Sequence, residues 1–471
     1  MKKFLFPLLT ITFLLCSCST SKQDSSLSSN EEATETSEET SSQEVSSSSE
    51  SKKEYTSNPM GDPYIARQYY LNHIGDIYSV WKEYRGDGQT IAVIDEGFNG
   101  KHEDFSFEDG TSKVSEESAS FTTSGSNTTT KVGINYVDAG EASHGTFCAG
   151  VAAAGINGKG VVGIAPNAKL LLLKTDLKPK SVAAAFRYAA DHGATAITIS
   201  IGSYENYEGD LVNDGSNLKT VFNEPVKYCY DKGIPVISAG GNGGSTKKTY
   251  PGSVTNVIGV GGIAANSSSD PWGETTYNSS DKDRHIDVMA PSDGMYGCCN
   301  YGGKKYDGGW KGTSFSAPQV AGMAALYFQK NPEATAKQFE DDLYASCHKI
   351  DNTGHYGYGR VDVGKLLGVT NTESVKVSIK ANWSNVYVYA WNLEKNKEQK
   401  AWPGTKLTKS NNEYTINIKP SDFDSIVIND GGSNKSPDLY VSSFIYNKSY
   451  SLISPTSETL GETTISIGKY A

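Results

Sequence analysis

Three short segments of the chain carry residues able to do covalent chemistry. Thr90-Ile91-Ala92-Val93-Ile94 is a β-branched, apolar run that ends in Asp95-Glu96-Gly97. It reads as a buried parallel strand with a carboxylate at its carboxyl end, which is where open α/β sheets place their sites. Ser143-His144-Gly145-Thr146 leads into the small residues Cys148-Ala149-Gly150-Val151-Ala152-Ala153-Ala154, as expected of a closely packed helix with His144 near its start. Gly312-Thr313-Ser314-Phe315-Ser316-Ala317-Pro318 precedes Val320-Ala321-Gly322-Met323-Ala324-Ala325-Leu326, placing Ser314 at a helix N-terminus with a proline in the first turn. A serine hydroxyl is a weak nucleophile until a neighbouring base takes its proton. His144 is suited to take and return that proton, and Asp95 to hold the imidazole in one tautomer and stabilise its charged form. Singly, an Asp after a strand is usually a cap and one His among seven is usually structural. Together the three types imply acyl transfer, provided the fold brings them into one place.

The order Asp, His, Ser with these flanks resembles the subtilase (subtilisin-like) family of serine peptidases, whose triad follows that chain order. The resemblance extends from about Gln68 to about Leu367. Gln68 to Trp81 is similar to the family's opening segment, Gly163-Ile164-Ala165-Pro166-Asn167-Ala168 to its loop before a core strand, Tyr250-Pro251 through Gly261 to a late sheet strand, and Tyr356-Gly357-Tyr358-Gly359-Arg360-Val361 to its closing turn and helix. It implies an α/β, three-layer fold around a mostly parallel sheet. It also implies a triad of Asp95, His144 and Ser314. Val236-Ile237-Ser238-Ala239-Gly240-Gly241-Asn242 matches the family's oxyanion motif, making Asn242 the side-chain donor beside the N–H of Ser314. Substrates in the family pair as an extra strand, here with the segment Thr198 to Gly202, so Ser200, Ile201 and Gly202 are expected to hold peptide backbone. Ala239, Gly240 and Gly241 are expected to border the first specificity pocket. The implied activity is endopeptidase action on proteins or peptides with no cofactor required for the chemistry. Structural calcium is common in relatives, and no run of ligands in this sequence assigns a site. Two departures stand out. Phe147 and Cys148 replace the His and Val that commonly follow the Gly-Thr of the motif, which is expected to reshape the pocket nearest the imidazole and to confer sensitivity to mercurials. No prodomain is recognisable ahead of the catalytic region.

Those segments occupy the middle of a chain of 471 residues, long enough for two folded units behind a polar N-terminal stretch. Met1-Lys2-Lys3 followed by a largely apolar run of 12 residues, Phe4 to Leu15, has the form of a signal peptide and falls short of the ~20 residues a spanning helix needs. Leu15-Cys16-Ser17-Cys18 resembles a bacterial lipobox, which makes Cys18 the lipidated residue and residues 1–17 the signal. From Ser19 to Asn58 nine acidic and three basic residues sit among Ser and Thr, with almost nothing apolar to bury, so 18–58 is expected to be an extended stalk. The expected location is the outer face of a bacterial cell membrane, contacted through the lipid anchor only. Composition, with 37% hydrophobic and 21% charged residues, excludes a collagen or a coiled coil. A net charge of −11 argues against sequence-independent nucleic-acid binding, which requires a basic surface. Five cysteines remain beyond the signal, Cys148, Cys229, Cys298, Cys299 and Cys347. Their number and spacing indicate neither a disulfide scaffold nor a zinc site; at most two bridges are possible, and adjacent Cys298 and Cys299 are expected in a loop.

The catalytic region is expected over 59–368, and after it the pattern changes to short alternating strands, Val375-Lys376-Val377-Ser378-Ile379 and Tyr414-Thr415-Ile416-Asn417-Ile418 among them. This predicts a small all-β sandwich over 374–445, with 446–471 a last strand or tail. In Val386-Tyr387-Val388-Tyr389-Ala390-Trp391 the period of two puts the aliphatics on one face and Tyr387, Tyr389 and Trp391 on the other. Trp402-Pro403-Gly404 adds another ring on a turn. Exposed rings of this kind stack on sugar faces, and the alternative is a second hydrophobic core layer or a domain interface. With Val427-Ile428-Asn429-Asp430-Gly431-Gly432 and Pro437-Asp438-Leu439, the segment resembles the family 26 starch-binding modules, although Lys435 stands where relatives tend to have Gln. That resemblance implies starch or another α-glucan as ligand, with Tyr387, Tyr389, Trp402 and Trp391 as the platform. A different class of protein, a catalytically silent α-glucan binder on the same scaffold, is opposed by the joint presence of Asp95, His144, Asn242 and Ser314. In a third reading the β-module merely docks to a maturation peptidase.

Overall fold

The computed structural model describes residues 55–471 except 139, 141–142, 205–214, 266, 268, 370, 382, 393–396, 412, 433, 437–438, 442–443, 445–449, 454–463, 467 and 470–471. The signal, Cys18, the stalk up to residue 54 and much of 446–471 lie outside the described residues. Residues 55–58, expected in the stalk, dock onto the catalytic region: Arg85 donates from Nη1 to Ser57 Oγ (2.6 Å) and from Nη2 to the Ser57 carbonyl (2.8 Å). The Tyr55 hydroxyl also donates to Asp87.

Among the described residues, twelve strands and seven α-helices build the first part. The strands are β1 Thr90–Asp95, β2 Ala119–Ser124, β3 Asn127–Val132, β4 Lys169–Thr175, β5 Ala196–Ile199, β6 Ser203–Tyr204, β7 Val236–Ala239, β8 Thr249–Tyr250, β9 Val257–Ile263, β10 Val288–Pro291, β11 Met295–Tyr301 and β12 Lys304–Trp310. The helices are α1 Ile77–Val80, α2 His144–Ala153, α3 Pro179–Asp191, α4 Leu218–Asp231, α5 Ala317–Lys330, α6 Ala336–Ser346 and α7 Val363–Leu367. Eight strands form one sheet in the order β10-β9-β7-β5-β1-β4-β2-β3. Every pairing in it is parallel except the β2–β3 hairpin.

Side-chain alternation along the central strands makes the three layers. Ile91 and Val93 of β1, with Leu170 and Leu172 of β4, enter the core shared with α2 and α5. Ala92, Ile94, Leu171 and Leu173 enter the opposite core, shared with α3 and α4. Both faces of the sheet are thus buried, which explains why these strands read as continuous apolar runs. The small residues expected of α2 serve close packing, because a Cβ on Gly322 of α5 would lie 3.0 Å from the Ala152 carbonyl and one on Gly150 only 2.7 Å from Cys298 Sγ.

That last contact corrects one expectation. Cys298 and Cys299 lie not in a loop but in β11, the first strand of a hairpin closed by Gly302 and Gly303, and both are buried. The hairpin lies over α2, where its short, thiol-bearing side chains fit. All five described cysteines carry free thiols. Among the described residues no helix is long and apolar enough to cross a membrane.

The C-terminal part is a two-sheet β structure. Val375–Lys380 pairs antiparallel with Glu413–Ile418, and Tyr387–Asn392 antiparallel with Ser425–Asn429. Val377, Ile379, Val386, Val388, Ala390, Ile426 and Ile428 are fully buried between the sheets.

Candidate functional site

The site forms at the carboxyl ends of the central strands. Asp95 is the last residue of β1 and has no solvent exposure. His144 is the first residue of α2, and its Nδ1 lies 2.9 and 3.0 Å from the two Asp95 carboxylate oxygens. The same carboxylate accepts the Glu96 N–H at 2.9 Å. An ionised carboxylate only accepts, so Nδ1 carries the proton and Nε2 is the basic nitrogen. Gly145 permits this closeness: a Cβ there would lie 2.4 Å from the Gly97 carbonyl and 2.9 Å from Asp95 Cβ. Gly145→Ala should push α2 away from β1, lowering kcat/KM by about 10²-fold through misplacement of the imidazole. Peptide hydrolysis by folded variant and parent measures this, and rates within a factor of two would show that α2 tolerates the shift.

Ser314 sits in a one-turn 3-10 helix, Thr313–Phe315, directly ahead of α5 rather than on the α-helix itself. Its Oγ donates to the Ser200 carbonyl at 3.1 Å, while the Ser200 hydroxyl donates to the Ser314 carbonyl at 2.6 Å. Asn242 follows β7, and its Oδ1 accepts both the N–H and the hydroxyl of Thr313, each at 2.9 Å. The Thr313 hydroxyl in turn accepts the Gly241 N–H at 3.0 Å. With Oδ1 fixed by two donors, Nδ2 of Asn242 is the donor turned toward the cleft. Gly312, at φ 141°, leaves room beside it, since a Cβ there would lie 3.3 Å from Nδ2. Thr313 was invisible to motif reading because its role depends on a partner 71 positions away.

One cleft contains Ser314 and Asn242 together with Ser200, Gly202, Ala239 and Gly241. Ile201 and Gly240 are not among the residues lining this cleft, and the peptide pairing expected of Ile201 falls on its backbone. Ile201 turns into the core beneath α3 and α4, and Gly240 faces Ile286 while its N–H donates to the Val260 carbonyl. Ser203, Tyr204, Thr249 and Thr313 also line the cleft and went unnoticed, since they come from the short β6–β8 ribbon and the turn that bears Ser314. Phe147 does not itself line the cleft: it is fully buried, stacked on Trp310 and packed against Phe315, whose ring also packs against His144. Cys148 is buried beside Asp95 and His144, with Sγ donating to the Ser314 carbonyl at 3.4 Å. Burial pushes its thiol pKa well up, so a mercurial must first open the fold to reach it.

Two clusters of ionisable groups converge among the described residues, Asp95 with His144 and Cys148, and His102 with Asp104 and Cys298. Each offers one carboxylate beside an imidazole and a thiol. Calcium takes about six to eight oxygen ligands, so neither donor set suits it.

In the C-terminal part Tyr387, Tyr389 and Trp391 occupy the half-exposed face of their strand, opposite the buried Val388 and Ala390. Tyr389 and Trp391 stack at 5.5 Å and 29°, and Trp402 stands at 63° to Tyr389 at the same distance. The rings form an angled surface rather than a coplanar one. Trp402 is 49% exposed. The Tyr389 hydroxyl donates to Glu398 at 2.7 Å, and Asn429 holds the turn of Trp402 through the Pro403 carbonyl at 3.0 Å.

Residues 86–359 match the sequence profile of the subtilase family, and residues 377–440 that of starch-binding module 26. Thermitase of Thermoactinomyces vulgaris is 30% identical over 325 residues, 66% of this chain and 99% of its own. Subtilisin DY of Bacillus licheniformis is 29% identical over 289 residues, 59% of this chain and 91% of its own. Among solved structures, a protease of Pseudoalteromonas arctica superposes with a TM-score of 0.53 at 21% identity, covering 66% of this chain and 99% of that one. Fervidolysin of Fervidobacterium pennivorans, a keratinolytic enzyme related to subtilisin, gives 0.53 at 22% identity, covering 81% of this chain and 57% of that one.

Proposed function

Since the chain belongs to the subtilase family and is a serine endopeptidase, we propose that Asp95, His144 and Ser314 are its triad, with Asn242 the oxyanion donor. The observation that carries this reading is the pairing of His144 Nδ1 with Asp95 beside a cleft holding both Ser314 and an amide oriented by Thr313. The resting Ser314 hydroxyl points at the Ser200 carbonyl, so it must turn to aim its hydrogen at His144 Nε2 before it can react. Oγ then attacks the peptide carbonyl, the proton passes to Nε2, and the Asp95 carboxylate stabilises the imidazolium. The carbonyl oxygen, now anionic, accepts from Asn242 Nδ2 and the Ser314 N–H. Collapse expels the amine with the proton from Nε2, and water repeats the sequence on the acyl-enzyme. A fluorophosphonate probe tests the assignment: the full chain should label covalently and Ser314→Ala should not. Labelling that persists in the variant sinks it.

The C-terminal part binds starch or a related α-glucan through Tyr387, Tyr389, Trp391 and Trp402, holding the peptidase near that polymer. The angled ring surface and the match to a starch-binding module support this. In an amylopectin gel the chain should be retarded, and Tyr389→Ala with Trp402→Ala should raise the apparent Kd at least about 10-fold, the cost of removing two interface anchors. Retardation unchanged in that double variant rules the platform out.

Secretion and anchoring to the outer face of a bacterial membrane follow from the signal and lipobox pattern of residues 1–18. Labelled palmitate should enter the chain and fail to enter Cys18→Ala; equal incorporation in both ends this part of the reading.

A further inference from the structure

We infer that Tyr204 sets substrate choice by closing the far end of the specificity pocket, so that the residue before the scissile bond must be short and uncharged. The inference rests on the peptidase reading above. β6 and β8 pair antiparallel with Tyr204 opposite Thr249, and this ribbon forms one wall of the cleft containing Ser314 and Asn242. The Tyr204 ring reaches across to the other wall. Its hydroxyl lies 3.3 Å from Thr276 Oγ1, and a Cβ on Gly243 would come within 2.2 Å of that hydroxyl and 2.9 Å of the ring carbon bearing it. A Cβ on Gly241 would lie 3.3 Å from the same hydroxyl. The phenol therefore rests on glycine backbone on both sides of Asn242, and no side chain from residues 241 or 243 can share that space.

Thr249 narrows the same end. Its hydroxyl is occupied, donating to the Gly240 carbonyl at 2.9 Å, and its methyl would lie 2.6 Å from a Cβ on Gly241. Among the described residues the cleft lining carries Ser, Gly, Tyr, Ala, Asn and Thr side chains and no ionised group. A lysine or glutamate entering it would lose water without meeting an opposite charge, a larger penalty than a misfit methylene. A phenylalanine would meet the Tyr204 ring. Alanine, serine and glycine fit.

The test compares kcat/KM for peptide p-nitroanilides that differ only in the residue before the cleaved bond: Ala, Phe, Lys and Glu. The full chain should favour Ala over Phe at least about 10-fold, with Lys and Glu poorer still. Tyr204→Ala should raise the Phe-to-Ala ratio at least about 10-fold, within the range a pocket-size change commands. Tyr204→Phe, which keeps the ring, should leave that ratio within about 3-fold of the parent. Should the Ala variant fail to fold, Tyr204→Leu carries the same expectation. A parent that labels with fluorophosphonate yet prefers Phe, or a ratio unmoved by both truncations, overturns the role of Tyr204 alone. A folded parent that neither labels nor cleaves overturns the peptidase reading and this inference together.

Discussion

Ser314→Ala should lower kcat for peptide hydrolysis by about 10⁶-fold, and adding His144→Ala should cost almost nothing more. The magnitude is that found when the nucleophile of subtilisin is removed, and the missing additivity carries the mechanistic content. His144 Nε2 has nothing to deprotonate once Oγ is gone, so its removal withdraws help that was no longer being given. What survives in both variants is the cleft itself with Asn242 and the Ser314 N–H, which stabilise an oxyanion formed by attack of water. Single-turnover hydrolysis of an activated peptide by parent, single and double variants makes the measurement. A double variant much slower than Ser314→Ala would mean that His144 acts on a second nucleophile, and the assignment of Ser314 would fall.

Asp95→Asn is the second large effect, a drop of about 10⁴-fold in kcat at neutral pH, and the hydrogen bonds give its cause. The carboxylate receives the Glu96 N–H on one oxygen and presents both oxygens to His144 Nδ1. An asparagine must keep its carbonyl oxygen toward the Glu96 N–H, because an amide nitrogen there would oppose donor to donor. Its NH₂ group then faces Nδ1, which is forced to accept. The ring proton moves to Nε2, the nitrogen that must be bare to act as base. Circular dichroism should show an unchanged fold, since the side chains have nearly the same shape. Activity within about 10-fold of the parent would show that another group orients the imidazole.

The parts of this site that sequence made legible are those whose local chain dictates their position. Asp95 ends an apolar strand, His144 begins a small-residue helix, and Ser314 stands in a turn with proline just beyond it; each flank is short-range. The aromatic face of the C-terminal part was readable for the same reason, because a period of two separates Tyr387, Tyr389 and Trp391 from Val388 and Ala390 whatever the tertiary context. What could not be read depends on which side of a bend a residue leaves by. The Ile201 side chain enters the core although its neighbours Ser200 and Gly202 line the cleft. Cys298 and Cys299 looked like loop residues until the surface of α2 supplied a reason for small side chains in β11. Tyr204 and Thr313 act only through segments far along the chain, and no local pattern announces such a pairing.

The Thr313 hydroxyl, taking the Gly241 N–H while giving its own hydrogen to Asn242, stitches the turn that bears Ser314 to the strand end that bears Asn242. Neither segment can drift without pulling the other. The ordering cost of setting Ser314 and Asn242 at a fixed separation is therefore met once, as the chain folds, and not each time a peptide arrives. A peptide then meets Ser314 and Asn242 at a separation the fold has already set, so none of its binding energy goes into bringing the two together.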